Sequence, residues 1–148
     1  ELWRLANFRG IRIRLRPEIQ DRSLLPAPTG CQNDNECGLV LHLELDETRV
    51  LLTGDIGFPT ENVLIGMLDR IDVLKIGHHG SSGSTSREFL DQTRPILSII
   101  SVGSRNMYGH PSMGALSRLR GLKVLRTDRD GTVEVRCDED GVIEHQSL

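Results

Sequence analysis

Long apolar segments are missing from this chain of 148 residues. No run reaches the roughly 18 apolar residues that a transmembrane helix needs, so we expect no membrane contact from the chain itself. Aromatic residues make up 3% of the sequence, and this low content argues against base stacking as a mode of nucleic-acid binding. The net charge of −3 gives no overall signal for binding to a polyanion.

Cysteine is scarce, and an odd count of three does not indicate a disulfide framework. Cys31 and Cys37 lie close together in a polar loop, but no second pair completes a zinc site of the usual spacing. We therefore expect Cys31, Cys37 and Cys137 to be ordinary thiols. The Gly-x-Ser-x-Gly turn of one class of serine hydrolases and the Gly-x-x-x-x-Gly-Lys phosphate loop are also absent.

The pattern of apolar residues predicts an α/β fold in a single domain, residues 1–148, with helices packed on a mixed sheet. Alternating or continuous apolar segments favour strands, whereas apolar residues three or four apart after a Ser or Thr favour helices. The segment 17–35 is predicted to be an irregular loop because of its prolines and glycine. Strands are predicted at 11–15, 39–45, 49–53, 72–76, 96–102, 123–126, 132–137 and 142–146, and helices at 2–8, at 61–69 after Thr60, at 87–93 after Ser86, and after Ser112.

A carboxylate comes shortly after the predicted strand 49–53. Asp55 follows Thr53 and Gly54, and the glycine allows a sharp turn that aims the side chain outward. In that position Asp55 can ligate a metal ion or, as turn aspartates commonly do, accept hydrogen bonds from nearby backbone amides. Both roles stay open on this segment alone.

Two adjacent histidines follow the next predicted strand. His78 and His79 lie between Gly77 and Gly80, and adjacent side chains point in different directions. One imidazole can then bind a metal ion, its other nitrogen held by a nearby acceptor, while the second faces a substrate. Together with Asp55 they predict a divalent-metal site at one edge of the sheet. A purely structural role for the histidines is the alternative.

Further candidate residues lie at or after the ends of predicted strands. His110, in the segment Tyr-Gly-His-Pro at 108–111, can move a proton or contact a phosphate, or it can be a loop residue near a helix start. Lys75 can face a phosphate or reach solvent. The polar segment 81–86 can donate hydrogen bonds to an oxyanion or serve as a flexible connector. The candidate substrate contacts are Lys75, Ser81 and Tyr108.

Taken together, these segments resemble the metallo-β-lactamase superfamily, and within it the hydrolase domain of ComEC-type competence proteins, which import DNA. The resemblance covers residues 33–137, where the segments occur in the order and spacing of that family. The matching segments are 38–41, 50–56 with Leu-Thr-Gly-Asp, 72–81 with Gly-His-His-Gly-Ser, 99–103, 108–111 with Tyr-Gly-His-Pro, and 126–131.

The resemblance implies half of a four-layer αβ/βα sandwich and a metal-dependent hydrolase, expected to be a phosphodiesterase or nuclease associated with DNA uptake. In the complete fold, two divalent ions, zinc or manganese, lie at one edge. By motif position, Asp55 would bridge the two ions and His78 would ligate one of them, with His79 as the alternative ligand. His79 and His110 are the catalytic candidates, and His110 would lie near the substrate, DNA or another phosphodiester.

The chain departs from the family pattern where most of the metal ligands should be. The motif His-x-His-x-Asp-His, which belongs to the first half of the domain, is missing. From the resemblance we expect the chain to be a C-terminal portion of the fold, and a two-metal site would be incomplete without that motif. Glu36 and Cys37 stand where the family usually has a serine. Ser112 and Gly114 replace a histidine and an acid that often follow His-Pro.

Three functions remain open. The first is an incomplete metal-dependent phosphodiesterase. The second is a non-catalytic half-domain that binds nucleic acid, docks on a partner N-terminal half-domain or associates with itself. The third is a superfamily hydrolase that acts on another substrate, such as a phosphorylcholine ester, a lactone or RNA. We expect a cytoplasmic protein if the chain stands alone and a membrane-associated one if it is part of a DNA-uptake protein.

Overall fold

The structure, a computed structural model, describes residues 4–8, 11–15, 21–25, 33–45, 47–137 and 143–147. The strands are β1 (Arg4–Phe8), β2 (Ile11–Leu15), β3 (Asp21–Leu25), β4 (Val40–Leu45), β5 (Thr48–Leu52), β6 (Val73–Lys75), β7 (Leu97–Ile100), β8 (Val124–Arg126), β9 (Val133–Cys137) and β10 (Ile143–Ser147). The helices are α1 (Phe58–Ile65), α2 (Arg87–Thr93), α3 (Met113–Arg118) and the single turn α4 (Thr127–Asp130).

The strands form two sheets. The larger sheet has the order β3-β4-β5-β6-β7-β8; its first three strands are antiparallel, and β5 to β8 run parallel. The smaller sheet has the order β1-β2-β9-β10, with β2 parallel to β9. The predicted α/β fold with a mixed sheet and flanking helices is confirmed.

The six-stranded sheet is buried on both faces, which explains why its central strands carry apolar side chains on both faces. Side chains alternate between the faces of a strand, so Val50 and Leu52 enter one core and Leu51 enters the other. The core between the two sheets contains Leu43, Val50, Leu52, Val73, Leu97, Ile99, Val133, Val135 and Cys137. The core under the helices includes Leu51, Ile56, Leu64, Leu74, Ile76, Phe89 and Leu119.

The helices are short, and their start points have identifiable causes. Ser86 caps α2 as predicted, because its side chain accepts a hydrogen bond from Phe89 N. The prediction that α1 follows Thr60 is wrong, since the helix already begins at Phe58. A carboxylate from the preceding loop takes the capping role there: Glu36 accepts hydrogen bonds from Gly57 N (3.1 Å) and Thr60 N (3.2 Å). Within the described ranges, no helix has the length and apolar character to cross a membrane.

Two predictions for the first part of the chain are wrong. Residues 4–8 form β1 rather than a helix, and they pair antiparallel with β2. The predicted loop 17–35 contains β3, which pairs with β4. Both errors have the same cause, because pairing with a partner strand satisfies backbone groups that a short segment cannot satisfy by itself.

The expectation of ordinary thiols holds for only part of the cysteine set. Cys37 is disulfide-bonded, whereas Cys137 forms no disulfide and is buried between the sheets. For Cys37 the prediction is wrong, because the spacing of cysteines along a chain does not show which thiols a loop brings together. Cys31 lies outside the described residues.

Candidate metal site

The ends of β5 and β6 bring Asp55 and the paired histidines to one edge of the six-stranded sheet. The two strands are parallel neighbours, so the segments that follow them leave the sheet side by side. Thr53 Oγ1 donates to Lys75 O (2.7 Å), and His78 N donates to Gly54 O (3.1 Å). These bonds tie the two segments together at the point where the candidate ligands lie.

The turn between β5 and Asp55 requires glycine. Gly54 has a φ of +57°, which L-residues rarely adopt. A Cβ at this position would also lie 3.0 Å from the carbonyl oxygen of Leu39. The sharp glycine turn that the sequence predicts before the carboxylate is therefore confirmed.

His78 and His79 lie in a short turn, Gly77–Gly80, directly after β6. Their φ angles are positive, 43° and 54°, a conformation that costs a non-glycine residue about 1–3 kcal/mol. The following loop supports the turn, since Ser84 Oγ donates to Gly77 O (2.8 Å) and Gly77 N donates to Thr85 Oγ1 (3.2 Å). As a result the two imidazoles diverge, with ring centroids 6.4 Å apart at an angle of 73°.

His79 is the histidine that faces Asp55. Its Nε2 lies 3.4 Å from Asp55 Oδ1, and its Nδ1 donates to Ser101 O (2.6 Å). Because a carbonyl can only accept, this bond assigns the proton of the neutral imidazole to Nδ1 and the lone pair to Nε2. Nitrogen and oxygen ligands of one tetrahedral zinc ion are roughly 3.3–3.5 Å apart at the usual bond lengths. Asp55 and His79 therefore have the spacing of two ligands of a common ion.

Lys75 is buried next to Asp55. Its side chain is 1% exposed, and its ammonium donates to Gly54 O (2.6 Å) and lies 3.8 Å from Asp55 Oδ1. The sequence left open whether Lys75 faces a phosphate or reaches solvent. The ammonium is instead covered, and its neighbours are the Gly54 carbonyl and the Asp55 carboxylate, so we interpret Lys75 as a residue that positions Asp55.

A buried carboxylate that sequence reasoning missed anchors the loop behind the histidines. Glu61 in α1 is 1% exposed and accepts hydrogen bonds from Thr85 N and from Ser86 N (2.8 Å). Burial raises the pKa of the Glu61 carboxyl, although the hydrogen bonds from these backbone groups oppose that shift. No local motif indicated this role, because the partners lie 24 and 25 residues further along the chain.

The same loop begins at Ser81, and Arg118 binds to its other end. Ser81 is partly exposed, and its hydroxyl accepts a hydrogen bond from Gly83 N (3.4 Å). From α3, the guanidinium of Arg118 donates to Thr85 O and Ser84 O, both at 2.8 Å. The segment 81–86 is thus well anchored, which argues against the flexible connector that the sequence left as an alternative.

His110 and Tyr108 form a ring stack beside His78. The His110 ring lies 5.7 Å from the His78 ring and stacks with Tyr108 at 6.1 Å and 18°. Asn106 holds this loop, because its side chain donates to His110 O (2.8 Å) and accepts from His110 N (2.9 Å). Within the described residues, the buried Nδ1 of His110 has no hydrogen-bond partner. The fold therefore groups all three predicted site histidines around one edge.

Two cavities flank the pair formed by Asp55 and His79. The cavity on the Asp55 side, of about 460 Å³, combines the Asp34 carboxylate with leucine side chains such as Leu39. The cavity on the His79 side, of about 470 Å³, is lined by hydroxyl groups and glycines, among them Ser104. None of the residues that line this second cavity carries a carboxylate, so an anionic group meets less repulsion there.

An ion pair braces the wall of the second cavity. Arg126 and Asp128 flank Thr127, which lines this cavity, and their side chains form two hydrogen bonds of 3.0 and 2.6 Å. The hydrogen bonds and the charge of Arg126 hold the pKa of the Asp128 carboxyl below its usual value. Asp130 adds a third bond by accepting from Arg126 N (2.7 Å).

We expect Asp128→Asn to lower the free energy of unfolding by about 1–2 kcal/mol at pH 7, since charged hydrogen bonds contribute that much. The pKa of the Asp128 carboxyl is lower in the folded protein than in the unfolded chain. The ionised carboxylate therefore stabilises the folded protein fully at any pH above the unfolded-state pKa, and this stabilisation is lost as the pH falls through the folded-state pKa. Urea unfolding at about pH 7 and about pH 2.5 tests this. If the free energies of unfolding of the wild type and Asp128→Asn differed by the same amount at both pH values, the role assigned to the Asp128 carboxylate would be contradicted.

The described residues contain no group of three or more His, Cys, Asp or Glu side chains placed to hold a metal ion. Asp55 and His79 fit one edge of a coordination sphere, with the tautomer and backbone contact that ligating histidines commonly show. A complete site therefore needs ligands in addition to this pair.

The chain is similar to segments of three curated proteins. It is 39% identical over 123 residues to ComE operon protein 3 of Bacillus subtilis (strain 168), 38% over 109 residues to Recombination protein 2 of Haemophilus influenzae, and 35% over 115 residues to Competence protein ComA of Neisseria gonorrhoeae. The matches cover 80%, 72% and 74% of this chain but 16%, 14% and 17% of those proteins. The chain thus spans about one sixth of the length of these relatives. No protein-family profile matches it.

Proposed function

We propose that this chain is part of a DNA-uptake protein and that it contributes Asp55 and His79 to a metal-dependent phosphodiesterase site. The observation that carries the proposal is the 3.4 Å separation of Asp55 Oδ1 and His79 Nε2 beyond the ends of two parallel strands. Similarity to Competence protein ComA and to ComE operon protein 3 supports DNA as the substrate. On this proposal the protein is membrane-associated through segments other than this chain.

In this proposal the chain is the C-terminal portion of a metallo-β-lactamase fold, a four-layer αβ/βα sandwich that holds two ions of zinc or manganese when complete. The helix layer, the six-stranded sheet and the four-stranded sheet would supply three of these four layers. The remaining metal ligands would come from an N-terminal half-domain. We propose that this half-domain is the partner that docks at the sheet edge carrying Asp55 and His79.

His79 is a better candidate ligand than His78. Its Nε2 faces the carboxylate, and its Nδ1 donates to a backbone carbonyl, which is how ligating histidines are usually oriented. We assign His78 and His110, whose rings lie 5.7 Å apart, to the substrate side. A bound divalent ion would supply Lewis-acid polarisation of the phosphodiester. His110 would contact a phosphate oxygen or transfer a proton there.

The presence of two cavities supports a phosphodiester substrate, because such a substrate has a substituent on each side of the bond that is cleaved. A phosphodiester within a nucleic acid chain has a nucleotide on both sides of the phosphorus, and Asp55 lines one cavity while His79 lines the other. The cavity lined by hydroxyl groups and glycines suits the sugar-phosphate side, because hydroxyls and exposed backbone N–H groups donate hydrogen bonds to phosphate oxygens.

Zinc titration of the full chain by calorimetry tests the metal assignment. We expect Asp55→Ala and His79→Ala each to weaken zinc binding by about tenfold or more, because each removes one ligand of the pair. His78→Ala should weaken binding less. His145→Ala in β10 is the matched control and should bind zinc like the wild type. Equal heats for the wild type and Asp55→Ala would overturn the assignment.

A second candidate function is a non-catalytic half-domain that binds nucleic acid. The observation in its favour is that the described residues supply no third metal ligand beside Asp55 and His79. DNA binding that weakens steeply with salt, without cleavage in the presence of zinc or manganese, would favour this function. Cleavage that Asp55→Ala abolishes would favour the phosphodiesterase.

A further inference from the structure

We infer that Tyr108 is a stacking platform for an unpaired nucleobase of the substrate. This inference rests on the proposed function in one respect, which is that it takes nucleic acid as the substrate. It adds a binding element that recognises a base rather than a phosphate. It also adds a preference for single strands, because a base within a duplex has both faces covered by its stacking neighbours.

The first observation is the exposure of the Tyr108 ring. The structure describes three aromatic side chains of this chain, and the other two are less accessible, Phe89 being buried and Phe58 partly buried. Phe89 is 1% exposed, and the Phe58 ring lies under the guanidinium of Arg118, which is 5.2 Å from the ring centroid. Tyr108 is 79% exposed. Low aromatic content argued against base stacking, but composition counts rings and does not show which of them faces solvent.

The second observation is that the exposed ring is held in place. One face of Tyr108 stacks on His110, so the opposite face is the one that can receive a ligand. The backbone of His110 is clamped in turn by the Asn106 side chain, which also donates to Gly103 O (2.9 Å). A ring that is already ordered loses little conformational entropy when a ligand stacks on it.

The third observation is the composition of the chain on either side of Tyr108. Met107 and Met113 are 92% and 76% exposed, and their thioethers favour contact with flat aromatic groups. Arg105 is exposed in the same loop and supplies a positive charge for a neighbouring phosphate. An exposed ring in a loop that also carries exposed methionine and arginine side chains suits a nucleotide, which offers a flat base and a charged phosphate.

The platform is connected to the proposed metal site by a row of rings. His79 lies 6.4 Å from His78, His78 lies 5.7 Å from His110, and His110 lies 6.1 Å from Tyr108, measured between ring centroids. A strand whose phosphate lies at Asp55 and His79 can therefore present a nearby base to Tyr108 along the same edge.

The test measures binding of fluorescent probes to the full chain by anisotropy in the presence of EDTA, so that metal binding and cleavage play no part. The probes are a thymidine oligomer, an abasic oligomer of the same length and charge, and a duplex. The variants are Tyr108→Leu, which removes the ring, and Tyr108→Phe, which keeps it. Met67→Ala, at a 54% exposed methionine that follows α1, is the control for loss of an exposed apolar side chain outside the Tyr108 loop, and it should bind all three probes like the wild type.

We expect the wild type and Tyr108→Phe to bind the thymidine oligomer equally, and more tightly than the abasic oligomer or the duplex. Tyr108→Leu should weaken binding of the thymidine oligomer by about 5- to 100-fold, as the loss of one stacked base predicts, and should leave abasic binding unchanged. Equal affinity for thymidine and abasic probes would overturn the inference, and so would a Tyr108→Leu variant that binds normally. Because this assay contains no metal, its failure is distinct from failure of the zinc titration.

Discussion

Replacing Lys75 with alanine is expected to lower the free energy of unfolding by about 3 kcal/mol. The side chain is 1% exposed and lies at the level of Leu52 and Ile99, its partners in the sheet register. Truncation leaves a cavity in this layer and removes the donor to Gly54 O. Urea unfolding followed by circular dichroism measures the change.

Two further variants separate packing from charge at this position. Lys75→Met keeps most of the volume and loses only the ammonium, so we expect it to cost about 1 kcal/mol, close to the value of one hydrogen bond. Lys123→Ala removes an exposed lysine and should change stability by less than about 0.5 kcal/mol. If Lys75→Met were as unstable as Lys75→Ala, the stabilisation would come from the charge near Asp55 rather than from packing.

Glu61→Gln is expected to lower the free energy of unfolding by about 2 kcal/mol at pH 7, because a buried acceptor of two backbone bonds is lost. The carboxylate accepts from Thr85 N and Ser86 N. A carboxamide has one oxygen, and its amino group would face the other N–H donor. The loop behind the histidines should then loosen, which amide hydrogen exchange at Thr85 and Ser86 would detect.

The same variant has a defined pH dependence. Burial raises the folded-state pKa of Glu61 above the unfolded value, so its protonated form is favoured in the folded protein. The stability that this shift contributes is complete below the unfolded pKa and declines as the pH rises through the folded pKa. The gap between wild type and Glu61→Gln should therefore widen toward acid pH. Glu88→Gln, an exposed acid in α2, is the control, and a gap that narrows toward acid pH would contradict the assignment.

Local signals in the sequence were sufficient for the middle of the fold. Helix α2 begins and ends where the Ser86 cap and the following proline predicted, and β4 to β8 lie within or close to the predicted strands. The division into two sheets was not predicted. It depends on the parallel pairing of β2 with β9, which joins segments more than a hundred residues apart and has no local signature.

The candidate site was predicted to a similar extent. Glycines beside Asp55 and the paired histidines mark strand ends in the sequence, and the proximity of these groups followed from the parallel strands. Which of His78 and His79 faces Asp55 could not be predicted, because it depends on the positive φ angles of the turn and on the carbonyl of Ser101. The buried role of Glu61 could not be found either, since its partners become neighbours only after folding.

The pairing of β2 with β9 also has a consequence for how the protein is made. During synthesis, β4 to β7 can pair as they emerge, since each lies close in sequence to its neighbour. The smaller sheet has to wait for β9, and until then the faces of Val50, Leu52 and Leu97 that it covers remain open to water. Pairing of strands that are distant in sequence slows folding and prolongs the exposure of apolar surfaces. During synthesis, this part of the protein is therefore most prone to aggregation after β7 has emerged and before β9 has.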